Sequence, residues 1–525
     1  MTGTSDIDAL LTRLAACDVK LSAAPGGILR YDAPRSVLTE ELLDELRLRK
    51  DELLARLGGG DGGRDSGPSS HGPYRVTDRT LVSDQQARLI AGHHSVPHPE
   101  VWNIPTRVGF TGTLDVDALR AALGDLIGRH HALHTRFAQD ADGAWWQEVV
   151  APPPLRLPLD DLTVLAAPER GPRSDALCRQ AARHRFELSE PVLPHLRLIR
   201  VEQDQWVLMF VLHHICADGW SLSVLLAELA ALYTAAAAGT PRPPAAPTAQ
   251  ATDFARAARA RHDPATEARR AAYFADYLDG VPPRTDIPTD RPRPGRLSGR
   301  GGTIRGSLSG EQRAEVEKFA AGLHTTPFAV AASALGVFLT RLSGEGDHLI
   351  GVPYANREGA AFETLVAMTS TTIMVRLRLD PDETCAALAV RTGAGALEAM
   401  AHVLPTARIM QAMRDAGARD VPDRVPHILA FQNSVDTDID IPGLRVDVED
   451  LAPPLARAEL CFGLAPRRER ALGYRTFLEY SADLWDQETA ARLLASYTAL
   501  LGEFCSRPDA RVGSLLQSSG KADTP

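Results

Sequence analysis

The six cysteines of this 525-residue chain are scattered, and no two of them stand in the CxxC spacing of a redox pair or a zinc site. We therefore expect the thiols to be reduced and mostly buried. The sequence also lacks a charged-then-apolar amino terminus and any apolar run of membrane length. Together these absences predict a cytoplasmic protein.

Basic residues are not concentrated anywhere, and the formal net charge is −10. Without a basic block or an aromatic-basic stripe, nucleic-acid binding is disfavoured. No predicted strand is followed by a Gly-rich phosphate loop, which argues against a Rossmann or nucleotide-triphosphate fold. With 44% hydrophobic residues, a chain of this length is expected to form two or three domains.

The most informative stretch is LHHICADGWS, residues 212–221, in which two histidines precede an aspartate. The apolar run 206–212 before it predicts a buried strand, and the Leu/Ala-rich run from Ser221 to Ala238 predicts a helix that ends at Gly239. The histidines are thus expected where a strand gives way to a helix, a position from which a side chain can be presented to a cleft.

An imidazole can accept or donate a proton near neutral pH, and one ring suffices for that purpose. Because side chains alternate along a strand, His213 and His214 are expected to point to opposite faces, so that only one lines the cavity. Asp218 is interpreted as architectural, with its carboxylate bonded to backbone or to an arginine, while Gly219 permits close backbone approach.

These residues resemble the HHxxxDG signature of condensation domains of nonribosomal peptide synthetases, a superfamily shared with chloramphenicol acetyltransferase and carnitine acyltransferases. The resemblance implies that His214 is the general base or positions the attacking amine, that His213 fills the first motif position and that Asp218 is structural. It further implies an α/β (α+β) fold of two chloramphenicol-acetyltransferase-like lobes in a V-shaped pseudo-dimer, with His214 at their junction in a tunnel entered from both faces.

Other segments resemble the same family in the expected order. They are SDQQARL (83–89), RHHALHTRF (129–137), FEL (186–188), DFA (253–255), IPTDRP (287–292), GVPYANR (351–357), FQN (431–433) and EYSADLW (479–485). From these and neighbouring segments come further candidates for substrate-tunnel or structural residues: Ser83, Arg88, Arg129, His134, Arg136, Trp220, Ser370, Gln432 and Asn433.

Three segments depart from the family pattern. Where the family has FFVNT, residues 368–372 read MTSTT, so Ser370 takes the place of the asparagine; where it has HQDxPFE, residues 401–407 read AHVLPTA. His134 replaces the arginine of the LRT element, which puts the ion pair of that arginine in doubt. These departures predict an unusual substrate preference.

Alternative chemistries within the superfamily have their own signatures. Heterocyclisation domains carry DxxxxD, whereas the first motif position here is His213, and no EGHGRE-like epimerisation segment is found. Amide-forming condensation is therefore favoured. Two alternatives remain open: a catalytically silent platform or gatekeeper that recruits carrier proteins, and an ester-forming variant with a hydroxyl acceptor.

Residues 1–58 are predicted to form a small helix, hairpin, helix unit. The segments LRYDAP (29–34) and LTEELL (38–43) resemble the TubC-type amino-terminal docking domain of hybrid polyketide/peptide synthetases. The resemblance implies that the hairpin edge grips the carboxy-terminal peptide of an upstream synthetase, and a homodimer through this domain is a further expectation. The docking candidates are Ile28, Leu29, Arg30 and Tyr31; a plain structural cap is the alternative.

The remaining organisation follows from composition and from the resemblance. Residues 59–73 are predicted to be a flexible Gly/Ser linker, 74–260 the amino-terminal lobe, 261–516 the carboxy-terminal lobe and 517–525 a disordered tail. Within the lobes we expect a core-packed helix around 116–127, an apolar helix over 326–342 and a strand over 372–377.

No directly bound cofactor and no metal is predicted, because a thioester already carries the activation energy. Substrates would arrive on the phosphopantetheine of upstream and downstream carrier proteins, in the manner of assembly lines for antibiotics and other secondary metabolites. The histidine groups 93–98 and 130–134 lack supporting cysteine or carboxylate ligands for zinc. Cys216 is expected to pack beside the cavity rather than to act as a nucleophile.

Overall fold

The computed structural model describes residues 20–24, 28–32, 74–240, 246–282, 284–415, 417, 421, 425–432, 439–451 and 455–517. The chain divides into two compact units, residues 1–71 and 72–525. The predicted linker 59–73, most of the predicted tail and the predicted helices of the first unit lie outside the described residues.

The described part of the first unit is a hairpin. Strand β1 (Lys20–Ala24) pairs antiparallel with β2 (Ile28–Asp32), with Lys20 opposite Asp32 and Ala24 opposite Ile28. The predicted hairpin is present, and the docking candidates 28–31 all belong to β2.

The second unit alternates strands and helices. In chain order its elements, 3-10 turns aside, are β3 (Val76–Leu81), α1 (Asp84–Ser95), β4 (Asn103–Thr111), α2 (Val116–Arg129), β5 (Thr135–Gln139), β6 (Trp145–Val150), β7 (Leu159–Asp161), α3 (Ala167–Ala182), β8 (His195–Glu202), β9 (Gln205–His213), α4 (Gly219–Ala237), α5 (Ala251–Ala260), α6 (Pro264–Tyr277), β10 (Gly301–Leu308), α7 (Gly310–Gly322), α8 (Pro327–Ser343), β11 (Asp347–Tyr354), β12 (Thr371–Arg378), α9 (Cys385–Ala401), α10 (Thr406–Asp415), β13 (His427–Phe431), β14 (Arg445–Asp450), β15 (Leu460–Pro466), β16 (Tyr474–Ser481), α11 (Gln487–Ser506) and α12 (Val512–Gln517).

Two large sheets organise these elements. The first has the strand order β14-β4-β9-β8-β7, and the second has the order β10-β16-β15-β13-β11-β12; a smaller sheet has the order β3-β6-β5. Each large sheet has its own hydrophobic core with helices packed on it. This arrangement agrees with the predicted α/β class and with two lobes.

Strand β9 lies in the middle of the first sheet, hydrogen-bonded antiparallel to β4 and to β8. Every residue from Trp206 to His213 is buried, which explains why the sequence shows a continuous apolar run instead of alternation. The predicted strand 206–212 and the observed β9 agree closely.

Helix α4 follows β9 after a short turn. Its inner face buries Leu225, Leu226 and Leu229 in the first core. Among the described helices, α4 is the one that by itself is long and apolar enough to cross a membrane. The sequence-based expectation that the chain has no apolar run of this length was therefore wrong. Because it packs against α2 and its leucines belong to the first core, we interpret it as the core helix of the first lobe.

Strand β14 belongs to the predicted carboxy-terminal lobe by its place in the sequence, but it pairs with the sheet of the amino-terminal lobe. Although it lies far beyond residue 260, it pairs antiparallel with β4 at the edge of the first sheet, with Val448 opposite Val108. Val446 and Val448 pack against the first core while their neighbours face outward. The division into 74–260 and 261–516 therefore does not describe the first sheet, whose outer edge is completed by a later part of the chain.

Candidate functional site

The turn between β9 and α4 carries the two motif histidines. Strand β9 ends at His213; the backbone N–H of Cys216 then donates to the carbonyl of His213 at 3.0 Å, and that of Ala217 donates to the carbonyl of His214 at 3.3 Å. His214 thus lies in a turn and not in the strand, so our argument from strand alternation was wrong for this residue. The two rings nevertheless differ, since His213 is 1% exposed and His214 is only partly buried.

His213 is held by two hydrogen bonds. Its Nδ1 accepts from the backbone N–H of Ile215 at 3.0 Å, and its Nε2 lies 3.2 Å from Nδ1 of His93 on α1. Because Nδ1 is an acceptor, the ring proton is on Nε2 and is donated to His93. Burial, with smaller contributions from His93 and His214, lowers the pKa of His213 well below its usual value. A neutral His213 therefore fixes the turn that carries His214.

His214 is contacted by an arginine that lies 243 residues later in the chain. Nη1 of Arg457 lies 3.2 Å from Nε2 of His214. A guanidinium can only donate, so Nε2 carries the lone pair and the buried Nδ1 carries the proton. Burial and the Arg457 cation lower the pKa of His214 to about 3, which keeps the ring neutral at physiological pH.

Glu479 on β16 positions Arg457. The carboxylate accepts from the Arg457 backbone N–H at 2.8 Å through Oε1 and from Nη2 at 2.9 Å through Oε2. The Glu479 side chain is 7% exposed, whereas that of Arg457 is 39% exposed. Sequence reasoning missed both residues as site residues, although Glu479 begins the EYSADLW segment; the isolated Arg457 gave no signal.

Asp218 is the N-cap of α4 and the centre of a buried hydrogen-bond network. Its Oδ1 accepts from the backbone N–H of Ser221 at 2.9 Å, the Ser221 hydroxyl at 2.8 Å and Nη2 of Arg357 at 2.8 Å. Its Oδ2 accepts from the Thr369 hydroxyl at 2.9 Å. The carboxylate therefore bonds backbone and an arginine, as the sequence interpretation required, and ties the start of α4 to two segments of the second lobe.

Arg357 and Thr369 were not singled out as site residues. Arg357 ends the GVPYANR segment directly after β11, and Thr369 lies inside the departing MTSTT segment. The neighbouring Ser370 is half-buried, and its hydroxyl contacts the sulfur of Met368 at 3.7 Å. In this segment it is thus Thr369, and not Ser370, that bonds the motif aspartate.

Several other predicted residues make structural contacts. Ser83 caps α1, the helix that carries Arg88 and His93, through a reciprocal capping box with Gln86. Arg88 contributes positive charge at His214. Ser83 therefore fixes the start of the helix that carries Arg88.

Ion pairs and neutral hydrogen bonds hold the segment 129–137 in place. Arg129 binds Glu228 of α4 at 3.0 Å, and the buried Arg136 binds Glu148 at 2.8 Å. Nδ1 of His134 lies 2.6 Å from the carbonyl oxygen of Val150, and burial lowers the pKa of His134. The arginine of the LRT element is thus replaced by a neutral ring bonded to backbone.

The remaining candidates lie between segments of the two lobes or within the second sheet. Nε1 of Trp220 donates to the carbonyl of Glu363 at 2.7 Å, and the indole ring lies 5.7 Å from the guanidinium carbon of Arg357. The backbone N–H of Gln432 donates to the carbonyl of Leu464 at 2.8 Å, while Asn433 lies outside the described residues. Gly219 is the first residue of α4.

The Cys216 thiol is 2% exposed, and its Sγ lies 3.8 Å from the carbonyl oxygen of Val192. Burial strongly raises the pKa of this thiol, so it stays protonated at neutral pH. Among the described His, Cys, Asp and Glu side chains, no group of three could hold a metal ion.

Two protein-family models match this chain. The model of the condensation domain matches residues 76–523, and the model of the TubC N-terminal docking domain matches residues 7–58. The chain belongs to the condensation domain family. Both resemblances predicted from the sequence are thereby confirmed. Condensation domains of nonribosomal peptide synthetases catalyse amide-bond formation and act on carrier-bound substrates.

Relatives of this condensation domain include long biosynthetic enzymes. It is 31% identical over 454 residues to chondramide synthase cmdD from Chondromyces crocatus, covering 86% of this chain and 12% of that protein. It is 31% identical over 452 residues to the dimodular nonribosomal peptide synthase of Bacillus subtilis (strain 168), covering 83% of this chain and 18% of that protein. The chain thus spans less than a fifth of the length of these relatives.

Among solved structures, the condensation domain is similar to the X-domain from teicoplanin biosynthesis, solved in complex with OxyB. The two share 25% sequence identity with a TM-score of 0.69 over 88% of this chain and all of that one. The fold predicted from the sequence is therefore confirmed.

Proposed function

We propose that this chain forms an amide bond between an acyl or peptidyl thioester donor on an upstream carrier protein and an amine acceptor. The observation that carries the proposal is the neutral Nε2 of His214, an acceptor atom contacted by Arg457 from the second lobe while its own turn belongs to the first. A neutral acceptor placed between two lobes suits an amine that must be oriented toward a carbonyl.

In the proposed reaction the amine nitrogen attacks the thioester carbonyl, forming the C–N bond. Collapse of the tetrahedral intermediate breaks the C–S bond, and the proton lost by the amine ends on the released phosphopantetheine thiol. With a pKa of about 3, His214 is a weak base. We therefore assign its lone pair the role of accepting an N–H of the amine and orienting the nitrogen for attack.

The backbone N–H groups of Asp218 and Gly219, at the start of α4, are candidate donors for the developing oxyanion. The Asp218 carboxylate already accepts from the Ser221 N–H and places a negative charge at this helix end. That charge disfavours an oxyanion in the same place. We propose instead that Asp218 holds the His214 turn against Arg357, as a positioning residue.

The docking unit and the carriers complete the proposal. The hairpin formed by β1 and β2 would receive the carboxy-terminal docking peptide of an upstream synthetase at the edge of β2, by strand addition. Substrates would be presented on the phosphopantetheine of upstream and downstream carrier proteins. We further propose a cytoplasmic location and a homodimer through residues 1–58.

Amide formation is tested by loading both carriers and measuring the mass of the intact carrier proteins. The wild-type chain is expected to transfer the donor acyl group to the acceptor amine, and His214→Ala is expected to abolish the product.

Docking is tested by deleting residues 1–58. This deletion should weaken transfer from the natural upstream protein and leave transfer from small-molecule thioesters unchanged; equal loss with both donors would contradict docking.

A recruitment platform is the second candidate. Its support is the similarity to the teicoplanin X-domain, which was solved in complex with OxyB, and the departing segments 368–372 and 401–407. A platform would bind carrier or partner proteins, and neither the wild-type chain nor His214→Ala would make an amide. The same mass measurement, combined with a carrier-binding assay, separates the two functions.

A further inference from the structure

Resting on the proposed function, we propose that Arg457 is a displaceable cap on His214. In this role its guanidinium N–H donates a hydrogen bond to the Nε2 lone pair, and only the amine of the acceptor replaces it. In this proposal a water molecule does not displace the cap. Arg457 would thereby favour aminolysis of the donor thioester over its hydrolysis, and it is a positioning residue for His214.

The first step of the argument is competition for one atom. A neutral imidazole has a single acceptor nitrogen, and that nitrogen in His214 is 3.2 Å from Nη1 of Arg457. An attacking amine oriented by His214 needs the same lone pair. The amine and Nη1 therefore cannot both bond to His214.

The second step is the way in which Arg457 is anchored. Both oxygens of the buried Glu479 are used, one by the backbone N–H and one by Nη2 of Arg457, whereas Nη1 bonds to His214. At 39% exposure the Arg457 side chain is much less confined than the 7% exposed Glu479. Nη1 can therefore leave His214 while the two bonds to Glu479 are kept.

The third step is electrostatic. Beside burial, the charges of Arg457 and Arg88 lower the pKa of His214, and the Asp218 carboxylate raises it. The adjacent His213 is neutral. A permanent cation beside Nε2 opposes protonation of the ring. As long as Arg457 is in place, His214 cannot remove a proton from water. In hydrolysis, water oxygen would form the new bond to the carbonyl carbon, the C–S bond would break, and a carboxylic acid and a free thiol would result.

The test compares Arg457→Ala, Arg457→Lys and the control Arg468→Ala. Arg468 is an exposed arginine that pairs with Asp440 on the surface. The release of free carrier thiol from a loaded donor is measured without an amine. Loss of the cap should raise this hydrolysis by about tenfold, the effect of one hydrogen bond of roughly 1.4 kcal/mol. Arg457→Lys, which keeps a cationic donor, should stay closer to wild type, and Arg468→Ala should not differ from it. The extra hydrolysis should disappear in Arg457→Ala/His214→Ala.

Imidazole NMR on the wild-type chain, with the His214 signal assigned through His214→Ala, provides a measurement that needs no catalysis. The cap requires an unprotonated, hydrogen-bonded Nε2 and a protonated Nδ1 at pH 7. A ring protonated on Nε2 would overturn the proposal, as would unchanged hydrolysis in a folded Arg457→Ala. Failure of amide formation in the wild-type chain would instead contradict the proposed function, and the NMR result would still decide whether Arg457 caps His214.

Discussion

Nη2 of Arg357 lies 2.8 Å from Oδ1 of Asp218, and the two side chains are 3% and 2% exposed. Asp218 starts the helix that follows the motif histidines, whereas Arg357 comes from the second lobe directly after β11. This buried ion pair therefore connects the turn that carries His214 to the other half of the domain.

Removal of Asp218 should be strongly destabilising. Asp218→Ala leaves a buried guanidinium without its carboxylate, which typically costs about 3–5 kcal/mol. Denaturant unfolding measures the loss. The control Asp382→Ala removes an exposed partner of Arg511, 88% and 65% exposed respectively, and should cost less than about 1 kcal/mol. Similar losses in the two variants would contradict the structural role assigned to Asp218.

The hydrogen bond between His213 and His93 should also be measurable. His93→Leu leaves the buried Nε2–H of His213 without an acceptor, and we expect a loss of about 1–3 kcal/mol in unfolding free energy. His93→Asn offers an amide oxygen near the position of Nδ1 and should recover much of that loss. If the leucine and asparagine variants were equally destabilised, the hydrogen bond would not explain the effect.

Stability should fall as the solution is made acidic. Burial lowers the pKa of His195, His348 and His427 to about 4 in the folded chain. Unfolded histidine titrates near pH 6.5. Between these values the unfolded chain binds more protons, so the stability that is fully present above pH 6.5 is lost as the pH falls toward 4.

Urea unfolding at pH 7.5, 6 and 5 measures this dependence. Each of these rings should contribute a slope of up to about 1.4 kcal/mol per pH unit. His348→Gln, which keeps polar atoms near the hydroxyls of Thr285 and Thr340, should reduce the slope. A stability that does not change between pH 7.5 and 5 would argue against neutral buried histidines.

The Cys216 thiol should be unreactive in the folded protein. It is buried and protonated, and the other described cysteines, Cys178, Cys385, Cys461 and Cys505, are buried as well. Iodoacetamide treatment followed by peptide mass spectrometry should label Cys216 only after denaturation. Rapid labelling of the native chain would instead support a nucleophilic thiol.

The elements next to the site could be predicted from the sequence because local pattern determines them. The continuous apolar run of β9 and the leucine-rich α4 were placed to within two residues, and Thr326, Pro327 and Gly344 bound α8 as its N-cap, first residue and C-cap. The position of His214 was not predicted correctly. Strand alternation was extended one residue past the end of β9, into a turn that the backbone of Trp102 helps to form.

Contacts between distant segments could not be predicted in the same way. Arg457 lies 243 residues from His214, and nothing in the pattern around it indicates a partner in the first lobe. Strand β14 alternates valine with charged residues, a pattern that predicts an edge strand without saying which sheet it completes. In both cases tertiary packing, and not local propensity, determines the position.

The central claim is that the His214 ring orients the amine in amide formation. The direct measurement is the rate of amide product formation between two loaded carriers, followed by intact-protein mass spectrometry, for the wild-type chain, His214→Ala and the control His262→Ala, which changes an exposed histidine. We predict equal rates for the wild-type chain and His262→Ala, and loss of the product in His214→Ala, that is, a rate lower by about a hundredfold or more. Amide formation by His214→Ala at the wild-type rate would contradict the account.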